Sequence, residues 1–176
     1  MDLPPDTVFV DMGFTVHHWD DTQLGHVTAL QKEPFRLRWY ATQLVTFVFI
    51  IDSQITTYSE IEELYSHLLE FAKKHKRTLL PRGLQCGYAL LPIYIADRFE
   101  SSVRDRVRTT FKKRWCVFHV PSLYEIATGD TVTLEDGSRW WGKLYWKYIR
   151  TTIRDVTDSI FVSGFEVAEE TLDQER

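Results

Sequence analysis

The chain has 176 residues, of which 44% are hydrophobic and 14% aromatic, and its formal net charge at pH 7 is -4. These values exclude a disordered chain, which has few aromatic residues, and a strongly basic nucleic-acid-binding protein. Two cysteines are too few for a disulfide scaffold and are typical of a protein from a reducing compartment.

We expect no signal peptide at the amino terminus and no membrane-spanning segment. The amino terminus lacks the basic and apolar stretches of a signal peptide. The apolar run at residues 45–51 is far shorter than the roughly 18 residues of a membrane span. We therefore expect a cytoplasmic protein with no membrane segment and one α/β domain over residues 13–163. Residues 1–12 are predicted to be an irregular lead-in, and residues 164–176 an acidic tail.

The first predicted elements are β-strands. Residues 13–19 and 26–31 are short candidates. Residues 35–40 alternate apolar and polar side chains, as a half-buried strand does. Residues 43–52 are apolar on both faces, which is typical of a strand at the centre of a covered sheet.

Helices and strands then alternate. Apolar residues at helical spacing predict helices at 59–75 and 99–114. Residues 86–96 and 115–121 are apolar enough to be two further strands. Because Pro92 has no N–H to donate to a ladder, we expect a bulge or an unpaired edge at that position.

A hairpin and a third helix complete the domain. The hairpin joins residues 123–128 to 131–134 across a Gly-Asp turn, and the helix covers residues 140–156. The fold class is therefore α/β, of the mixed α+β kind, with a single mixed sheet of about five to seven strands. Two consecutive strand–helix–strand crossovers and a C-terminal aromatic helix complete the prediction.

One candidate catalytic site is a pair of carboxylates. Asp52 and Asp97 each end a long apolar strand, so parallel strands would bring them to one edge of the sheet. Carboxylates at such an edge can hold Mg²⁺ or Mn²⁺, with His119 as a further ligand or a base. The alternative is that Asp97 caps a helix and Asp52 begins a turn. We expect no cofactor unless this metal site exists.

A second candidate is a basic segment in the middle of the chain. Residues 73–114 hold twelve of the 21 Lys and Arg residues but only three acids. Within residues 98–114, the candidate nucleic-acid-binding side chains are Arg104, Arg106, Arg108, Lys112 and Lys113. The alternative is a solvated helix whose bases pair with acids of the same chain.

A third candidate is the aromatic helix. Five aromatic residues lie between Trp140 and Tyr148. Trp146 and Ile153 fall on one flank of the predicted core face and Trp140 on the other. That arc is wider than one packing face needs, and Trp and Tyr are typical anchors of protein interfaces. The alternative is a helix wedged between the sheet and the hairpin.

Three functional hypotheses remain open at this point. The first is a non-catalytic interaction domain that forms a homo-oligomer or binds a protein partner. The second is an enzyme, a divalent-metal-dependent phosphoryl-transfer or hydrolase domain of the nuclease kind. The third is nucleic-acid binding without chemistry. The adjacent His17 and His18 point to opposite faces of a strand, so we expect no shared metal there.

Overall fold

The computed structural model describes the backbone of residues 3–36, 42–52, 55–77, 86–111, 114–135 and 143–174. Within these ranges the helices are α1 (Asp6–Asp11), α2 (Tyr58–His75), α3 (Ser101–Thr109) and α4 (Lys143–Gln174). The strands are β1 (Thr15–Asp21), β2 (Gly25–Lys32), β3 (Phe35–Arg36), β4 (Thr42–Asp52), β5 (Cys86–Ala96), β6 (Val117–His119), β7 (Ser122–Glu125) and β8 (Asp130–Thr133).

All of these strands belong to one mixed sheet. The order across it is β1-β2-β4-β5-β7-β8, with β3 beside β4 and β6 beside β5. The β4–β5, β5–β6 and β5–β7 pairs are parallel, and the remaining pairs are antiparallel. The mixed sheet, the two crossovers and the C-terminal helix confirm the predicted fold class.

Helices cover both faces of the sheet. Apolar side chains of α2 and α3 form one core cluster with one face of the sheet, and those of α1 and α4 form another with the opposite face. Along β4, Phe47 and Phe49 belong to the first cluster, whereas Val48 and Ile50 belong to the second. This double burial is the physical reason why β4 is apolar on both faces.

Pro92 lies in the middle of β5 without the expected bulge. It pairs in register with Phe49 of β4. The Leu90 carbonyl accepts a hydrogen bond from the N–H of Val120, so the polar groups of Leu90 point away from β4. The N–H and C=O groups of successive residues point to alternate sides of a strand, so those of residues 90 and 92 share a side. The N–H that Pro92 lacks would therefore also point away from β4. That side faces the break between β6 and β7, where no donor is needed.

Some predicted boundaries were wrong. The lead-in contains a short helix, α1, with Phe9 fully buried. The strand expected at 115–121 is shorter, and a turn precedes it. The helix predicted at 99–114 is the shorter α3, and α4 continues through most of the predicted acidic tail. No helix in the described part of the chain is both long and apolar enough to cross a membrane.

Candidate functional site: a groove between an edge strand and the aromatic helix

The structure brings the two candidate carboxylates to one edge but leaves His119 elsewhere. Because β4 and β5 are parallel neighbours, Asp52 and Asp97 both emerge, exposed, at the carboxyl ends of these strands. His119 aligns with Leu90, five positions before the partner of Asp52, or about 16 Å along the sheet. Its ring is buried and lies 5.0 Å from that of Tyr65. His119 therefore does not join the pair.

No metal centre is evident at that edge. Among the described residues, no group of three or more His, Cys, Asp or Glu side chains is arranged to hold a metal ion. His17 and His18 point to opposite faces, as expected. His17 Nε2 donates to Gln31 Oε1 at 2.8 Å, and His18 lies 2.9 Å from the carboxylate of Asp6.

Two of the five candidate bases, Arg104 and Arg108, pair with acids of the same chain. Arg104 lies 3.3 Å from Glu125, whose side chain is only 2% exposed, and Arg108 lies 3.3 Å from Glu135. Arg106 is exposed, whereas Lys112 and Lys113 lie outside the described residues. These pairs favour the interpretation of α3 as a helix whose bases are neutralised by acids of its own chain.

A polar cavity of about 600 Å³ lies between α2 and α3. Its wall includes Tyr58 and Glu62, and the Glu62 carboxylate also lies 2.7 Å from Arg114. Burial, with the neighbouring Glu62 carboxylate, raises the pKa of Tyr58 to about 12. Beneath them Tyr94 is fully buried, and burial raises the pKa of its hydroxyl above the ordinary value. The Glu62 carboxylate is thus neutralised by Arg114, and the exposed Glu100 and Arg106 add one charge of each sign to the wall.

A groove of about 860 Å³, larger than the α2–α3 cavity, lies between β8 and α4 and is hereafter called the β8–α4 groove. It lies in the roughly 300–1,000 Å³ range of ligand-binding clefts. One wall is the edge strand, and the other is one face of the helix. The lining residues are Gly129, Asp130, Thr131, Thr133, Trp146, Lys147, Arg150, Thr151, Ile153, Arg154, Thr157 and Asp158.

Helical periodicity places the groove-facing side of α4. Ile149, Ile153, Val156 and Ile160 are buried against the sheet at helical spacing. The residues on the adjacent face of α4 then point towards β8 and line the groove. The helix is further held by the hydroxyl of Tyr148, which donates to Thr46 Oγ1 at 3.2 Å.

The hairpin turn closes one end of the groove. Gly129 has a φ of +70°, in the left-handed region that favours glycine. A Cβ atom at this position would also lie only 2.5 Å from the Phe161 ring of α4. Only a glycine therefore lets the β7–β8 turn approach the helix this closely.

The charges of the groove are unevenly distributed. Lys147, Arg150 and Arg154 lie on the helix wall, whereas Asp130 and Asp158 lie towards the hairpin turn. Lys147 and Arg150 are exposed and form no ion pair with any residue that the structure describes. Arg154 lies 3.5 Å from Asp155 and is 69% exposed. At Lys147 and Arg150 the helix wall thus presents positive charge that no described residue neutralises.

The aromatic-helix prediction places two residues in this groove. Trp146 is half-buried and lines it. Ile153 is only 2% exposed, so it belongs to the core and forms the groove's floor instead of a free flank. Trp140 lies outside the described residues.

The three bases of α4 were not among the candidates from the sequence, although their spacing of three and four residues places them on one helix face.

The fold and the groove define a class: an α/β domain with an open, positively charged edge groove. No protein-family model, curated protein or solved structure matches this chain.

Proposed function

We propose that this chain is a non-catalytic interaction domain that binds another protein chain in the β8–α4 groove. The observation that carries the proposal is the open groove itself, which combines an edge strand with exposed bases on the facing helix, two of which form no ion pair with a described residue. Edge strands present backbone donors and acceptors to other chains. A groove beside such a strand offers both hydrogen bonds and side-chain contacts to a bound segment.

The side chains of the groove support a protein partner. Trp and Arg are the residues most enriched at the centres of protein interfaces. Trp146 provides a large amphipathic surface, and Arg150 and Arg154 provide charged donors beside it. Thr131 and Thr133 on the strand wall add hydroxyl groups without blocking access to the backbone.

The two other hypotheses have less support. Nucleic-acid binding through α3 would need the charge of Arg104 and Arg108, which acids of the same chain already neutralise. A metal-dependent enzyme would rest on Asp52 and Asp97 without His119, and among the described residues no third His, Cys, Asp or Glu joins them. Such a pair could hold Mg²⁺ only together with waters or the phosphates of a substrate, which makes it the weaker basis for a function.

The test is a selection of binding peptides followed by a pair of charge reversals. A random peptide library displayed on phage is panned against the immobilised full chain, and the enriched peptides are synthesised. Their affinities are then measured for the unaltered chain, for Arg150→Glu in the groove and for Arg106→Glu beside the α2–α3 cavity. Both arginines are exposed, so both substitutions should leave the fold intact.

We expect Arg150→Glu to weaken binding of the selected peptides at least ten-fold, or about 1.4 kcal/mol. The matched Arg106→Glu variant should bind them as the unaltered chain does. The proposal is wrong if no peptide is enriched. It is also wrong if Arg106→Glu abolishes binding while Arg150→Glu does not, because the interaction surface would then lie at α3.

A further inference from the structure

The outer edge of β8 is available for pairing. Its inner edge pairs antiparallel with β7, from Ser122 opposite Thr133 to Glu125 opposite Asp130. No strand among the described residues pairs with its outer edge. In an antiparallel pair, alternate residues direct their N–H and C=O groups away from the partner. These outward groups of β8 are a template for one more strand.

The side chains of an added strand would alternate between the two faces of the sheet. Thr131 lies opposite Tyr124, which belongs to the core cluster on the α4 side. Val132 lies opposite Leu123, which belongs to the cluster on the α2 and α3 side. Every second residue of an added strand would therefore point into the groove, towards the helix wall.

The bases of α4 match the spacing of such side chains. Lys147 and Arg154 are seven residues apart, so they span about 10 Å of the helix. Groove-facing residues of an extended strand follow one another at about 7 Å. Two acidic residues separated by one position thus fit along the three bases. Arginine also binds carboxylates with paired hydrogen bonds, which adds geometric specificity.

The charges of the groove also exclude some occupants. Asp158 repels acidic residues at the hairpin end, so the acidic part of the ligand belongs beside the bases. A second copy pairing through its own β8 would offer only threonines at groove-facing positions of that strand. Such a copy would leave the bases of α4 without partners on β8.

We infer that the β8–α4 groove binds an extended acidic segment of a partner protein, which adds to the sheet as a further strand beside β8. The inference rests on the proposed function and specifies its ligand. Backbone hydrogen bonds to β8 supply part of the affinity, and carboxylates facing Lys147, Arg150 and Arg154 supply the specificity.

The test uses synthetic peptides whose backbone and charge are varied separately. The reference is a capped nine-residue peptide in which glutamate alternates with valine, and its binding to the full chain is followed by fluorescence anisotropy. A lysine-for-glutamate peptide tests charge. Two N-methylated forms test strand pairing: one is methylated on every glutamate nitrogen and the other on every valine nitrogen. In a strand paired on one side, only one of these sets faces β8.

We expect the glutamate peptide to bind and the lysine peptide to bind at least ten-fold more weakly. One N-methylated form should lose at least ten-fold in affinity, whereas the other should stay within a few-fold of the reference. Arg150→Glu should weaken binding of the glutamate peptide, whereas Lys73→Glu on the exposed side of α2 should leave that affinity unchanged. Binding should also slow hydrogen exchange at alternate amides of β8.

Several results would overturn the inference. Equal effects of the two methylation patterns would show that the peptide does not add as a strand. Equal binding of the lysine peptide would remove the acidic specificity. Dimerisation of the chain alone in sedimentation, abolished by Arg150→Glu, would identify a second copy as the occupant. If library-selected peptides still bind in the groove while the acidic peptide does not, the proposed function survives and only this inference fails.

Discussion

The two edges of the sheet are built differently. At the β1 edge, polar side chains have partners in the same chain: His67 lies 3.3 Å from Asp21, and His18 lies 2.9 Å from Asp6. At the β8 edge, a groove of about 860 Å³ remains open and Lys147 and Arg150 have no ion-pair partner among the described residues. An edge whose polar groups are satisfied internally stabilises the fold, whereas an edge that leaves them exposed is suited to binding.

The packing of aromatic side chains also differs between the β1 edge and the β8 edge. Phe71 of α2 is 7% exposed, and its ring stacks 4.7 Å from that of Trp19 on β1. The ring of His75 stacks on its other side at 3.9 Å. Phe161 of α4, beside the β8 hairpin, is 41% exposed. The β1 edge is thus packed around the buried Phe71, beside a smaller cavity of about 360 Å³, whereas the β8 edge carries a partly exposed ring.

The largest expected effect is the loss of the buried Phe71 ring. Phe71→Ala should lower the free energy of unfolding by about 3–5 kcal/mol, because it leaves a cavity among packed aromatic rings. The matched Phe161→Ala change should cost about 1 kcal/mol or less, since much of its ring already contacts water. Urea unfolding of the two variants measures both values. Equal losses would show that the two edges contribute alike to stability.

A second prediction concerns the pH dependence of the β1 edge. Burial opposes ionisation of Asp21, but hydrogen bonds from the N–H groups of Gln23 and Leu24 and from His67 outweigh it. They lower the pKa of Asp21 below its ordinary value of 3.8. A carboxylate with a lowered pKa in the folded state stabilises the fold above its unfolded-state pKa. That stabilisation is lost as the pH falls through the folded-state pKa.

Asp21→Asn should therefore lower the free energy of unfolding by about 1 kcal/mol at pH 7. The difference from the unaltered chain should shrink as the pH falls below 3.8 and through the lowered folded-state pKa of Asp21. The matched control is Asp20→Asn, whose carboxylate faces His26 at 2.9 Å but is 89% exposed. It should change stability little at any pH. A difference for Asp21→Asn that persists at low pH would contradict the assigned role of the charge.

Sequence patterns predicted the centre of the fold better than its edges. The doubly apolar β4 and β5 and the helical spacing of α2 reflect burial, which periodicity reports directly. Whether Pro92 disrupts the sheet depends on which neighbouring strand its missing N–H would face, and predicting that requires the strand order. Trp146 was a candidate from composition alone. The groove itself needs β8 at the sheet's edge with α4 beside it, and no local pattern encodes that arrangement.

The smallest expected effect on stability belongs to the groove bases. Arg150→Glu should change the free energy of unfolding by no more than about 0.5 kcal/mol, because its side chain is exposed and forms no ion pair with a described residue. The same variant should lose at least ten-fold in affinity for groove-binding peptides. Urea unfolding and peptide titration on one preparation measure both quantities. A loss of 2 kcal/mol in stability would assign this arginine to the fold, as at the β1 edge. Unchanged stability together with lost binding would show that this residue of the β8 edge serves binding, whereas the side chains at the β1 edge stabilise the fold.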